Sequence, residues 1–168
     1  MTLWILGNLC SFRVTASVFG VANSVVHSNY VVVTEALREL SEKFVKWPTT
    51  AGRARTKNAC RRKAGFPGVI GMMDGSLIKV TAPCVQREQY FDRHHSYSIN
   101  ILAVCDRRLV FTHLYVGESG RVHDSRVFSR SPLHDILLEN NQALGEDEHI
   151  LADSAYTLTD KVCIAYLI

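Results

Sequence analysis

Gly68-Val69-Ile70-Gly71-Met72-Met73-Asp74-Gly75 is an apolar run of strand length with a carboxylate at its end. The pattern returns far downstream in His149-Ile150-Leu151-Ala152-Asp153-Ser154-Ala155-Tyr156. A buried strand that delivers an Asp to its end, twice, is how a protein builds a divalent-metal site on a rigid sheet. Facing acidic groups of this kind, bridged by two metals, cut or join phosphodiesters.

Around these two stretches, from Phe66-Pro67 onward, the pattern is that of strands. Residues 69–74 and 77–81 read as a hairpin, or as one long strand bent at Asp74-Gly75-Ser76. Residues 98–106 form a second strand, apolar at Ile99, Ile101, Leu102, Val104 and Cys105, and residues 109–117 a third, joined to it by the turn Arg107-Arg108. A helical stretch over 124–140 is divided at Ser131-Pro132, a polar loop covers 139–147, and 149–153 is another short strand. Three antiparallel strands, a helix and a fourth strand is the element order of a ribonuclease-H-like mixed α/β sheet. In such a sheet the first and fourth strands are neighbours, so Asp74 and Asp153 are expected to face each other. Gly75 lets backbone or substrate come close to the first acid.

Asp124, in Gly120-Arg121-Val122-His123-Asp124-Ser125-Arg126, has two readings. The simpler is the N-cap of the helix that follows, where Asp accepts free backbone N–H groups. The other is a metal ligand, or a group that orients His123. Asp106 reads as structural. Among the histidines, His94 and His95 are adjacent and point apart on a regular element, and His113, His123, His134 and His149 form no helical pair for zinc. The segment 86–97 mixes aromatics with bases, a composition that suits stacking and phosphate contact as well as a solvated loop.

Upstream, residues 1–46 read as a helical, helix-turn-helix-like region. Ala16 is the small residue at the crossing, Gly20 takes the left-handed turn position, and Val26 locks a short second helix, 22–28, to the first. A separate helix follows over about 31–44, with Ala36, Leu37 and Leu40 on one face. A plain helical hairpin fits the same spacing. If the second helix reads DNA, Asn23 and His27 are its candidate contacts. Residues 47–65 then form a linker in which Arg53, Arg55, Lys57, Arg61, Arg62 and Lys63 lie without an intervening acid. It is either a solvated connection or a phosphate-contacting, nuclear-import segment. The α/β domain spans 66–168.

The bulk properties bound the rest. The chain of 168 residues is 47% hydrophobic and 21% charged, an ordinary globular composition, and a net charge of +3 does not by itself argue for nucleic acid. Five scattered cysteines without a Cys-x-x-Cys pair exclude a disulfide framework and point to a reducing compartment. The apolar opening Met1 to Leu9 is too short for a membrane span, so no membrane partner is expected.

Four spaced stretches together resemble the PIF/Harbinger transposases and their domesticated relatives, the Harbinger transposase-derived nucleases. They are Gly71-Met72-Met73-Asp74-Gly75-Ser76-Leu77-Ile78, then Tyr97-Ser98-Ile99-Asn100, then Gly117 to Gly120 followed by His123-Asp124-Ser125-Arg126-Val127-Phe128, and lastly Leu151-Ala152-Asp153-Ser154-Ala155-Tyr156. The resemblance implies an endonuclease with an acidic triad that uses Mg2+ or Mn2+ to cut double-stranded DNA. Asp74 and Asp153 match catalytic, metal-binding acids; Asp124 matches a His-Asp motif that joins the metal set in some readings, with His123 and Asn100 in support. It also implies a nuclear protein, with the cytoplasm as a second location, that works with a Myb-like DNA-binding partner. The family's catalytic Glu lies on a helix well beyond the Asp-Ser-x-Tyr motif. The expectation is therefore a nuclease domain incomplete at its C-terminus, or a catalytically inactive DNA- or partner-binding module derived from a transposase.

Overall fold

The computed structural model describes residues 1–139 and 144–165. The chain divides into two compact units, Met1–Phe44 and Val45–Ile168.

The first unit holds three helices, α1 (Thr2–Asn8), α2 (Phe12–Phe19) and α3 (Asn23–Phe44). Ser11 caps α2 by accepting from the Val14 N–H, and Gly20 ends it in the left-handed conformation at φ 64°. Only glycine takes that backbone without steric cost. Ile5, Ala16 and Val26 form its small core, with Val26 fully buried. Burying Ile5 and Val26 contributes roughly 3–6 kcal/mol. The expected break between a short second helix and a later one does not exist: α3 runs unbroken through Ser28 and Asn29. Asn29 and Thr34 donate side-chain hydrogen bonds to the carbonyls of Val25 and Tyr30, one turn back, so these polar residues continue the helix rather than end it. Leu37 and Leu40 are exposed, at 42% and 39%.

In the second unit the expected linker is instead helix α4 (Thr50–Ala64). Thr49 caps it through the Gly52 N–H, and Gly65 closes it at φ 72°. Strands β1 (Val69–Lys79), β2 (Ser98–Cys105) and β3 (Phe111–Ser119) are antiparallel. After α5 (Asp124–Arg130) and α6 (Pro132–His134), which runs into a π-turn over Asp135–Glu139, β4 (His149–Ala152) pairs parallel to β1, and β5 (Val162–Ile164) parallel to β4. The sheet order β3-β2-β1-β4-β5 is that of a ribonuclease-H-like fold. β1 is one strand, not a hairpin. Part of the expected loop over 139–147 lies outside the described residues.

The core of this unit joins Ile70, Met73, Leu102, Val104 and Ile150 of the sheet to Val127, Phe128, Leu133 and Leu137 of the helical segment. Burial along β2 alternates with period two, and its inward face is Ser98, Asn100, Leu102 and Val104. Two polar residues thus occupy core positions while Ile99 and Ile101 stay half-buried. Among the described residues no helix is long and apolar enough to cross a membrane, and the five cysteines are free thiols.

Candidate active site

Asp74 lies within β1, one residue past the buried Met73, and its Oδ1 accepts the Gly75 N–H at 2.8 Å. Asp153 follows the last residue of β4, and its Oδ1 accepts the Ala155 N–H at 3.0 Å. Met72 pairs with Leu151 across these parallel strands. Each Asp is two residues beyond that pair, so the sheet carries both to the same level of the same edge. Both are exposed.

Asp124 corrects the capping expectation. His123 holds the N-cap position with no side-chain cap, and Asp124 is the first helical residue. Its carboxylate turns instead toward the sheet, where Asn100 Nδ2 donates to Oδ1 at 2.9 Å. Asn100 is 2% exposed and also donates to the Val122 carbonyl at 3.2 Å, tying the loop before α5 to β2. The reason for the glycine after Asp74 is now visible. A Cβ at Gly75 would stand 2.6 Å from Asp124 Oδ1 and 2.7 Å from its Cγ. What comes close to the strand is the third carboxylate.

All three acids act on Tyr156, which is 5% exposed and whose hydroxyl is buried without a hydrogen-bond partner. Burial, then the negative charges of Asp124, Asp74 and Asp153, push this phenol well above its ordinary range, so it keeps its proton. The Asn100 Oδ1 is likewise buried and unpartnered. Three carboxylates carried by two paired strands and the start of α5, one of them seated on a bare glycine, are a donor set that fits a hard cation. Tyr156 carried no role of its own from sequence, where it is only the last residue of the Asp153 stretch; in the structure it packs on Phe128 at 6.2 Å.

His123 is exposed beside the acids, with Nδ1 3.5 Å from Ser125 Oγ. Among the described residues, one group of three His or acidic side chains gathers its ligand atoms within 4.8 Å: His134, Asp135 and Glu139 on the π-turn. Both acids there are exposed and nothing else points to a ligand.

A cleft of about 1270 Å³ opens from this site, bounded by Gly75, Asn100 and Asp124 and by the loop that carries Arg87, Phe91 and Tyr97. That loop is braced by Asp92, 5% exposed, which accepts from Ser98 Oγ at 2.6 Å and from the N–H groups of His94 and Ser96 at 2.8 and 3.0 Å. The Ser98 hydroxyl above all, aided by these N–H groups against the cost of burial, lowers the Asp92 carboxyl to about 2. Gly120 makes room for the brace. Its N–H donates to the Ser98 carbonyl at 2.8 Å, and a Cβ there would overlap Ser98 Oγ.

The basic series of α4 separates into two sets. Arg53 Nε meets Glu148 Oε2 at 2.7 Å, and Lys57 Nζ meets Asp147 Oδ2 at 2.8 Å, so both are held within the unit. Arg55, Arg61 and Arg62 are exposed and, among the described residues, without an ion-pair partner; Lys63 is exposed as well. Arg107, from the β2–β3 turn, joins the three arginines around one recess, a contribution that sequence separation concealed. In the first unit Asn23 and His27 are exposed on α3, with the His27 ring edge-on to Phe12 at 5.6 Å.

The family model for the DDE superfamily endonuclease matches residues 73–167. The mouse protein named "Putative nuclease HARBI1" is 31% identical over 127 residues, 75% of this chain and 36% of that protein; its human counterpart is 29% identical over the same shares. The Arabidopsis thaliana protein named "Antagonist of like heterochromatin protein 1" is 28% identical over 138 residues, 82% of this chain and 35% of that protein. The chain thus spans about 36% of the length of the first of these relatives. No solved structure matches it. With its sheet order, its strand-borne acids and these matches, the chain belongs to the DDE superfamily endonucleases and is homologous to the Harbinger transposase-derived nuclease.

Proposed function

We propose that this chain carries the catalytic face of a divalent-metal-dependent DNA endonuclease, in which Asp74, Asp153 and Asp124 hold Mg2+ or Mn2+. The observation that carries this reading is geometric: the Asp124 carboxylate is seated against Gly75, the residue after Asp74, on a strand paired in parallel with the one that Asp153 follows. An all-oxygen donor set suits these cations better than zinc. Bound there, the metal supplies an acidified water and neutralises charge on the leaving oxygen.

The chain's own groups do the positioning. The Gly75 and Ala155 N–H groups hold Asp74 and Asp153, Asn100 turns Asp124, and Tyr156 keeps its proton in the field of all three. His123, exposed at the mouth of the cleft, is placed to touch a substrate phosphate. The assay is nicking of supercoiled DNA with Mg2+ or Mn2+. Cleavage that EDTA stops and Asp74→Ala abolishes supports the assignment, and cleavage that survives Asp74→Ala overturns it. Binding without cleavage would favour an inactive DNA-binding module.

Gly75→Ala tests the geometry. Its Cβ displaces the Asp124 carboxylate from Asn100, and a misplacement of about 1 Å in such a site costs on the order of 100-fold. We expect a comparable loss of cleavage with the melting temperature nearly unchanged, because the displaced atom is the end of a flexible side chain.

For duplex binding we assign Arg55, Arg61, Arg62 and Lys63, joined by Arg107, with Asn23 and His27 as further candidates in the first unit. Replacing Arg55, Arg61 and Arg62 by Gln should weaken binding to all duplexes alike. It should also flatten the plot of log K against log salt by about 0.9 for each phosphate that is no longer neutralised. Nuclear location and a Myb-like DNA-binding partner rest on the family resemblance. A fluorescent fusion that stays out of nuclei would refute the first, and failure to co-purify such a protein the second.

A further inference from the structure

We infer that the cleft lined at one end by Gly75 and Asp124 takes an unpaired stretch of DNA strand, with a base stacked on Phe91, so that the preferred substrate is opened a few nucleotides from the scissile phosphate. This rests on the DNA endonuclease reading and specifies its substrate. The volume, about 1270 Å³, exceeds the 300–1,000 Å³ of a site for one drug-sized molecule and suits a short run of polymer units. It is far too small to enclose a duplex. The cleft follows the second half of β1, from Gly75 to Lys79; Lys79 is five residues beyond Asp74, roughly 16 Å away.

Its lining combines the two elements that hold single strands, a cationic track and an aromatic platform. Lys79, Arg87, Arg93 and Arg121 supply the first. Of the three acids there, Asp92 is consumed by its own hydrogen bonds, Asp124 belongs to the proposed metal set, and Glu88 is exposed and outnumbered by the four bases. In the aromatic group one ring is spoken for and one is open. Arg87 donates to Tyr97 Oη at 2.5 Å and lies 4.8 Å from its ring centre. Phe91 packs edgewise on His95 at 5.9 Å and tilted against Tyr97 at 5.5 Å, yet stays 41% exposed. An exposed Phe on a slack loop would be unremarkable. This one directly precedes Asp92, whose buried carboxylate accepts from four donors within residues 94–98, so the ring is presented by a stiff frame.

The test uses the whole chain with Ca2+ in place of the catalytic metal. Two labelled duplexes are titrated, one intact and one with a four-nucleotide single-stranded gap containing 2-aminopurine. Stacking on one aromatic ring predicts roughly tenfold tighter binding to the gapped duplex, with quenching of the probe. Phe91→Ala should remove both the preference and the quenching while leaving intact-duplex affinity unchanged, and Phe91→Trp should restore them. Equal affinity for the two DNAs, or a preference that Phe91→Ala leaves in place, overturns the inference but not the endonuclease reading. Absence of any DNA binding overturns both. Phe91-dependent gap preference without cleavage in Mg2+ supports the inference alone.

Discussion

Asp74→Asn is expected to abolish metal-dependent cleavage, by on the order of 10³-fold or more, while leaving the protein as stable as before or slightly more so. The substitution keeps an oxygen to accept the Gly75 N–H, so the local turn survives. What it removes is one of three negative charges that share the surroundings of Tyr156. Without a cation those charges repel one another, and neutralising one relieves that repulsion. With a cation the balance reverses. A ligand that binds only the folded state at a hundred times its Kd adds about 2.7 kcal/mol. For a chain of this size that raises the melting temperature by several degrees. Thermal melts with and without Mg2+ or Mn2+ should show that gain in the parent and little of it in Asp74→Asn. A variant that still gained the full shift would place the cation elsewhere, and the π-turn group of His134, Asp135 and Glu139 would be the next site to mutate.

Much of this site is legible in the order of the residues, because strands announce themselves by apolar runs and a carboxylate at the end of such a run is conspicuous. The neighbour relation of Asp74 and Asp153 follows from element order alone, and β1 and β4 do pair in parallel. What escapes the sequence are features fixed by distant partners. Asp124 stands where a cap residue belongs, and only the approach of Asn100, twenty-four residues away, shows that its carboxylate turns to the sheet. Ser98 and Asn100 look like the outward residues of β2 beside Ile99 and Ile101. They face inward because each serves a carboxylate, Asp92 and Asp124 respectively. β5 is three residues long, too short to produce a periodic signal. Helix α4 has almost no apolar face, so its basic composition resembles a solvated linker. The order comes from a Thr cap, a Gly stop and ion pairs to residues some ninety positions away.

Those ion pairs yield the second large effect. Glu148→Ala is expected to destabilise the second unit by roughly 3–5 kcal/mol, because it leaves Arg53 charged and buried; Arg53→Met should cost somewhat less, because Lys57 Nζ remains 3.6 Å from Glu148 Oε1. The Glu148 side chain is 8% exposed and that of Arg53 14%. Glu148 Oε2 takes the Gly145 N–H at 3.0 Å as well as Arg53 Nε, and Arg53 Nη1 also donates to the Pro48 carbonyl at 3.2 Å. Burial alone would raise the Glu148 carboxyl, but the Gly145 N–H and Arg53 outweigh it and hold the group below its ordinary value. A carboxyl lowered on folding contributes stability above its unfolded range and loses it as pH falls through the folded value. The deficit of Arg53→Met should therefore be largest near neutrality and shrink in acid, where Glu148 is protonated in parent and variant alike. Replacing both partners with apolar residues of similar volume should restore most of the loss, and a double-mutant cycle read by urea titration gives the coupling. Arg55→Gln, Arg61→Gln and Arg62→Gln, on the exposed side of the same helix, should leave the urea midpoint where it is. If Arg53→Met proved as mild as these, α4 would be a basic surface held by its caps alone, and Arg53 would return to the set available for DNA.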